Sequence, residues 1–242
     1  MNKNTVPSST AGYQNWRHLV FLHWKVDPEV LQRHLPEGLT VETFEDSGWL
    51  ALVPFSMERV RPWWAPPVPG ISWFLETNVR TYVRHESGVR AVWFFSLDAN
   101  SRLAVWVART FWKLNYIDCQ MTMRSDAATK ALHYEGIRRH QTECRYSVRF
   151  RMDETPLQIA SEGTLEHFLL ERYALLSQAP DGRFLTADVI HKPYRYRIPI
   201  ELDCDETYTA QLLDQFSAGQ RPDHVAYSPG VDVRVTSLQP VK

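Results

Sequence analysis

Five polar side chains fall at alternate positions in one short run, "FLETNVRTYVR" (Phe74–Arg84): Glu76, Asn78, Arg80, Tyr82 and Arg84. Side chains alternate between faces at strand spacing, so these five share one face. Trp73, Leu75, Val79 and Val83, with Thr77 and Thr81, share the other. A carboxylate can act as acid or base, and a guanidinium is a bidentate clamp for a carboxylate. Glu76 and Arg80 sit four residues apart, with Cα atoms roughly 13 Å apart at strand rise. Both could therefore reach a ligand placed over Asn78. A second reading competes: a solvated strand face on which Glu76 pairs with a neighbouring arginine, worth ~0–1 kcal/mol. A closed sheet would turn one strand face inward, where polar groups must be paired or used, and periodicity alone does not say which face that is.

Other residues offer weaker chemistry. The sequence contains no GxSxG, P-loop, GxGxxG or HExxH pattern. His18 and His23 could meet on a sheet, but nothing spaces the nine histidines as metal ligands, and hydrogen-bonded strand histidines are the favoured reading. Cys119 has no base beside it and reads as a buried, inert thiol. The three cysteines, Cys119, Cys144 and Cys204, form no CxxC and argue against a secreted disulfide framework. "RPWWAPPVPG" is a rigid loop whose Trp63 and Trp64 either close over a pocket as a lid or plug the end of the sheet.

The elements that position these residues are mostly strands. "HLVFLHWKV" (His18–Val26) reads as a buried strand, and "DPEVLQRHLPEGL" follows with Asp27 as N-cap and Pro28 at the first helical position. "WLALVPFSM" (Trp49–Met57) is a further strand. "VRAVWFFSLD" (Val89–Asp98) is apolar on both faces, as a central strand requires. Helical length marks "RLAVWVARTFWKLN", with Leu103, Val107, Phe111 and Leu114 on one side. "LEHFLLERYALL" shows the clearest helical period and is expected to form a helix over Leu165 to Ser177. "LHYEGIRR", "RYSVRFRM", "TADVIH" and "VDVRVTSL" read as strands, with a last helix near Glu206 to Phe216. The expectation is α+β, mainly β: a flexible tail over residues 1–14, then one domain over 15–242 built on a large curled sheet with a few peripheral helices.

Composition narrows the function classes. Lys and Arg number 27 against 28 Asp and Glu, a formal charge of -1, which gives no electrostatic reason to expect nucleic acid or an anionic membrane. The first residues lack the apolar run of a signal peptide, and the longest apolar runs are too short to span a bilayer. The expectation is a soluble, cytoplasmic protein with no metal and no cofactor. Nine tryptophans suit either a core or a small-molecule pocket.

Six segments occur in one order: "HLVFLHWKVDPEVLQRHLPEGL", "WLALVPFSMERVRP", "FLETNVRTYV", "VWFFSLDANSRLAVWVAR", "GTLEHFLLERY" and "VIHKPYRY". Together they resemble the YqjF-like family of uncharacterised proteins, over nearly the whole chain from about Asn15. That family is similar in turn to acetoacetate decarboxylase, and the resemblance implies a cone-like antiparallel β structure around an interior pocket. The decarboxylase forms a Schiff base through a lysine whose pKa a neighbouring lysine lowers. "ARTFWKLNYI" resembles its motif, with Ala108 and Arg109 at the opening and Trp112 in an aromatic slot. The Lys-Lys positions then fall on Tyr116 and Ile117, neither of which can form an imine. Lys113 lies three residues earlier and reads more simply as a surface lysine.

The same resemblance places Arg17 and Glu76 in the pocket and puts Phe55 where a second glutamate stood. It thus implies Glu76 and Tyr116 as acid/base or hydrogen-bonding groups, and Arg17, Asn78 and Arg80 as ligand contacts. The leading function is binding, or transforming, a small carboxylate, keto acid or ketone without Schiff-base chemistry. The alternative is a structural or partner-binding protein whose interior is filled. A homo-oligomer is open under either.

Overall fold

The computed structural model describes residues 10–103, 105, 114–214 and 216–241. Its fifteen described strands are β1 (Thr10–Val26), β2 (Leu39–Val41), β3 (Gly48–Pro62), β4 (Phe74–His85), β5 (Arg90–Ala99), β6 (Tyr116–Asp126), β7 (Ala131–Arg138), β8 (Gln141–Arg151), β9 (Gln158–Ile159), β10 (Ala174–Gln178), β11 (Phe184–Ile190), β12 (Arg195–Tyr196), β13 (Glu201–Glu206), β14 (His224–Thr236) and β15 (Gln239–Pro240). Three short helices are described: α1 (Pro28–Gln32), α2 (Leu165–Leu170) and α3 (Tyr208–Leu212). Asp27 caps α1 by accepting from Glu29 N at 2.8 Å, and Pro28 follows it as expected.

The sheet closes on itself. Hydrogen bonding runs β5–β10–β11–β14–β1–β3–β4, and β4 pairs back to β5. The free half of β5 makes the rest possible. Val92 and Trp93 pair with β10, while Leu97 to Ala99 pair with β6, which continues into β7, β8 and β13. Both pairings are parallel, so the sheet is mixed and not wholly antiparallel. The central position of β5 explains its apolar character on both faces.

Each ring strand therefore has an inward and an outward face. Phe21, Trp49, Phe55, Tyr82 and Phe168 belong to the inner cluster. Val20, Leu22, Trp24, Leu52 and Val79 point outward and are covered by Tyr134, Tyr146, Val148 and Phe150 of β7 and β8. This outer cluster joins residues on both sides of position 120 in one core.

Three expectations need correction. Residues 10–14, expected in a tail, lie in β1 and pair with β14. The helix expected over Leu165–Ser177 ends at Leu170, and Ala174–Gln178 is strand β10. Hydrogen bonds to β11 and β5 outweigh the helical period there, because β5 offers an unpaired edge. The last helix is confined to Tyr208–Leu212. Most of the helix expected near residues 102–114 lies outside the described residues, with Val107, Phe111 and Lys113.

Candidate functional site

The polar face of β4 points into the ring. Glu76, Asn78, Arg80 and Tyr82 are all buried, whereas Arg84 at the strand end is exposed and pairs with Glu42. On the opposite face, Val79 and Val83 are buried as expected, but Trp73 lies largely in solvent. The solvated reading of Glu76 and Arg80 is thereby excluded.

Glu76 is 3 % exposed and sits opposite Phe55 of β3 and Ala99 of β5. Tyr116, the first residue of β6, donates its hydroxyl to Glu76 Oε2 at 2.8 Å. Burial raises the Glu76 pKa to about 8, with Asp98 adding to the rise and the Tyr116 hydrogen bond opposing it. Burial and the adjacent Glu76 push Tyr116 well above the ordinary phenol range. At neutral pH the pair is thus a carboxylic acid and a phenol. Oε2 receives the Tyr116 hydrogen, which leaves the acid proton for Oε1 and makes it a donor to a carbonyl or carboxylate oxygen.

Arg80 occupies a second level of the interior. It is 7 % exposed, and its guanidinium carbon lies 5.6 Å from the Phe21 ring centre and 5.9 Å from that of Tyr82. Its Nε and Nη2 are buried without a hydrogen-bond partner, as is Asn78 Oδ1. Leaving buried donors unpaired costs roughly 1–3 kcal/mol per group, more for a charged one. The Asp98–Arg138 pair in the outer layer shows the contrast. Arg138 binds both Asp98 oxygens at 2.7 and 3.0 Å and Ser96 Oγ at 2.6 Å, while Tyr208 donates to Asp98 Oδ2 at 2.8 Å. That pair is fully satisfied and structural. No local pattern announced it, because a bulge at Phe95 sends Ser96 and Asp98 outward.

Histidines complete the surroundings of Arg80. Tyr82 donates to Leu169 O at 2.9 Å, so His23 Nε2 must donate to Tyr82 at 2.9 Å. His23 Nδ1 then accepts from His224 Nδ1 at 3.0 Å, with both rings neutral. Burial lowers the pKa of both, and Arg80 lowers that of His23 further. His23 meets His224 and not His18, which instead bonds Tyr227 at 3.0 Å. Among the described residues no three His, Cys, Asp or Glu side chains gather as a metal site. Cys119 is buried and its pKa is pushed up to about 12, mainly by that burial, as expected of an inert thiol.

Arg17 does not reach this interior. Its Nη2 binds Asp232, and its Nη1 binds the Trp16 and Val231 carbonyls at 2.9 Å. The cause is local. His18 adopts φ 55°, and Gly230 on the paired strand adopts φ 135°. This irregularity reverses the alternation, so Trp16 points inward beside Phe55 and Arg17 points out. Trp63 and Trp64 are exposed, at 53 and 73 %, and belong to none of the buried clusters. Lys113 lies outside the described residues. An open surface hollow between α1 and β2, lined by Glu29, Gln32, Arg33 and Thr40 among others, contains none of the expected site residues.

Two interior features had no sequence signal as site residues. His191 and Arg172 come from segments distant in sequence from β4. Arg172 stacks over Phe168 at 4.4 Å and Tyr82 at 5.3 Å.

The closed sheet defines a fold class that solved structures share. The chain is similar to an acetoacetate decarboxylase from Legionella pneumophila, with a TM-score of 0.64 at 13% identity, covering 100% of this chain and 94% of that one. It is equally similar to the enduracididine biosynthesis enzyme MppR complexed with pyruvate, with a TM-score of 0.64 at 10% identity, covering 99% and 93%. An acetoacetate decarboxylase-like enzyme from Sphingomonas wittichii follows at 0.63 and 12% identity, covering 100% and 99%. The fold is acetoacetate decarboxylase-like. Residues 13–232 match the model of DUF2071, described as an uncharacterized conserved protein, and the chain belongs to that family. It is 33% identical over 181 residues to the uncharacterized protein YqjF of Bacillus subtilis, covering 75% of this chain and 73% of that protein.

Proposed function

We propose that the ring interior binds a small organic acid, a keto acid or a simple carboxylate, without Schiff-base chemistry. The observation that carries this reading is Arg80: a buried guanidinium with Nε and Nη2 unpartnered on the inner face of a closed sheet. An anion accepting both donors would compensate the buried charge. In this reading protonated Glu76, oriented by Tyr116, donates to a second oxygen of the ligand, and Asn78 between them supplies a further polar contact. The pyruvate named for MppR supports a ligand of this size class. Tyr116 and Ile117 at the expected lysine positions favour non-covalent binding.

The test is calorimetric titration with pyruvate, acetoacetate and propionate. We expect saturable binding to the wild type, lost in Arg80→Met, with the urea midpoint of that variant unchanged or higher because an uncompensated charge is gone. Arg17→Met should bind like the wild type. Absence of binding by every acid would overturn the reading and favour a filled interior, and unaltered binding in Arg80→Met would overturn the role given to Arg80. The bulk of Phe21, Trp49 and Phe55 supports that alternative. Borohydride with acetoacetate should leave no adduct detectable by mass spectrometry; a stoichiometric adduct on any lysine would overturn the non-covalent part.

A further inference from the structure

We infer that Arg172 is a second anion-binding group of the interior, and that the ligand there is a dianion, with one carboxylate on Arg80 and another on Arg172. This rests on the binding reading above and specifies its ligand class. Arg172 is 7 % exposed at its side chain and follows α2. Its guanidinium and that of Arg80 share one ring: they lie 5.3 and 5.9 Å from the centre of Tyr82. Two buried cations around one ring repel each other in a medium of low dielectric, and an anion between them removes the repulsion.

The simpler account of Arg172 is a structural pair with Glu42. Its Nη1 does lie 3.0 Å from Glu42 Oε2. Glu42, however, is shared: Arg84 Nη2 stands 3.1 Å and Arg90 Nε 2.6 Å from its other oxygen, and Oε2 itself accepts no hydrogen bond from Arg172 or any other group among the described residues. Three guanidinia on one carboxylate leave an excess of positive charge. The Nε and Nη2 of Arg172 are buried and have no hydrogen-bond partner. Glu42 thus offers one side of the guanidinium an ion pair without a hydrogen bond, Phe168 and Tyr82 flank its plane, and two donors stay unused. Arg80 has the same two donors unused. A chain built for a single carboxylate needs only one such fork.

The nearby groups do not cancel this charge. His23 and His191, which both experience Arg80, have pKa values lowered chiefly by burial. Glu171 is engaged elsewhere: Oε1 accepts from Tyr194 N at 2.9 Å, and Oε2 accepts from the Tyr173 hydroxyl.

The experiment compares matched acids at constant ionic strength: succinate, glutarate and adipate against butyrate, valerate and hexanoate. The wild type should bind one dicarboxylate about tenfold or more tighter than the monocarboxylate of equal length. Arg172→Lys keeps the charge beside Glu42 but loses the planar fork. It should lose this preference while keeping monocarboxylate affinity within about twofold. Equal affinity for both series in the wild type overturns the inference without needing any variant, and leaves the Arg80 reading standing. A preference that survives in Arg172→Lys overturns it as well. If neither series binds, the binding reading fails and the inference falls with it.

Discussion

Glu76 and Tyr116 show what a buried hydrogen-bonded pair does at neutral pH. The folded pKa of Glu76, about 8, stands above the ordinary value of 4.5, so the folded state holds a proton that the unfolded chain has lost. The stability difference therefore falls as pH rises from 4.5 to about 8 and is flat outside that window. Glu76→Gln mimics the protonated form. We expect it to be more stable than the wild type at pH 8.5, by on the order of 3–5 kcal/mol, with the difference shrinking towards pH 5. Urea unfolding at the two pH values checks this, and an unchanging difference would refute it. Ligand affinity should likewise fall above pH 8 in the wild type and not in Glu76→Gln. The histidines act with the opposite sign. His23, His191 and His224 have lowered pKa values, so they withdraw stability as pH falls below 6.5, in both proteins alike.

At the scale of elements, irregularities decide which side chains meet. The crossing of β1 and β14 at His18 and Gly230 turns Trp16 in and Arg17 out. Gly230 is required there by two facts: its φ of 135° disfavours any L side chain, and an added Cβ would sit 2.1 Å from Trp16 O. Gly230→Ala should lose about 2–4 kcal/mol in urea unfolding. A loss below about 0.5 kcal/mol would mean that the strand crossing relaxes freely. The bulge at Phe95 has the same kind of effect, because it lets Phe94, Leu97 and Ala99 face inward and sends Asp98 to Arg138. Strand β10 is the third case. Its residues fit a helical period with α2, yet β5 and β11 supply hydrogen-bonding edges on both sides.

For the whole molecule, the ring and the outer layer of β6, β7, β8 and β13 share β5, and Asp98–Arg138 ties β5 to β7 where they meet. Asp98 is fully buried, so removing its partner leaves an uncompensated charge. Arg138→Leu should cost about 3–5 kcal/mol in urea unfolding. Asp98→Asn with Arg138→Leu together should cost markedly less than the single change, since the stranded charge is gone. Additive losses would show that the two residues do not act as a pair. Among the described residues, no helix is long and apolar enough to cross a membrane.

Strand alternation and apolar runs are local properties, written in neighbouring residue types, and they were legible. They gave most strands, the α1 cap at Asp27, the central place of β5, and the common face of Glu76, Asn78 and Arg80. The resemblance in segment order added the closed interior and the place of Tyr116. Only the tertiary structure decided which face of β4 looks inward, because period two is symmetric between the two faces. It also decided against Arg17, since one left-handed residue at His18 inverts everything before it. Arg172 was hidden for a different reason: its role depends on Tyr82, Phe168 and Glu42, which no spacing in the chain connects. Ring closure brings them together, and with them the two guanidinia whose donors remain unspent.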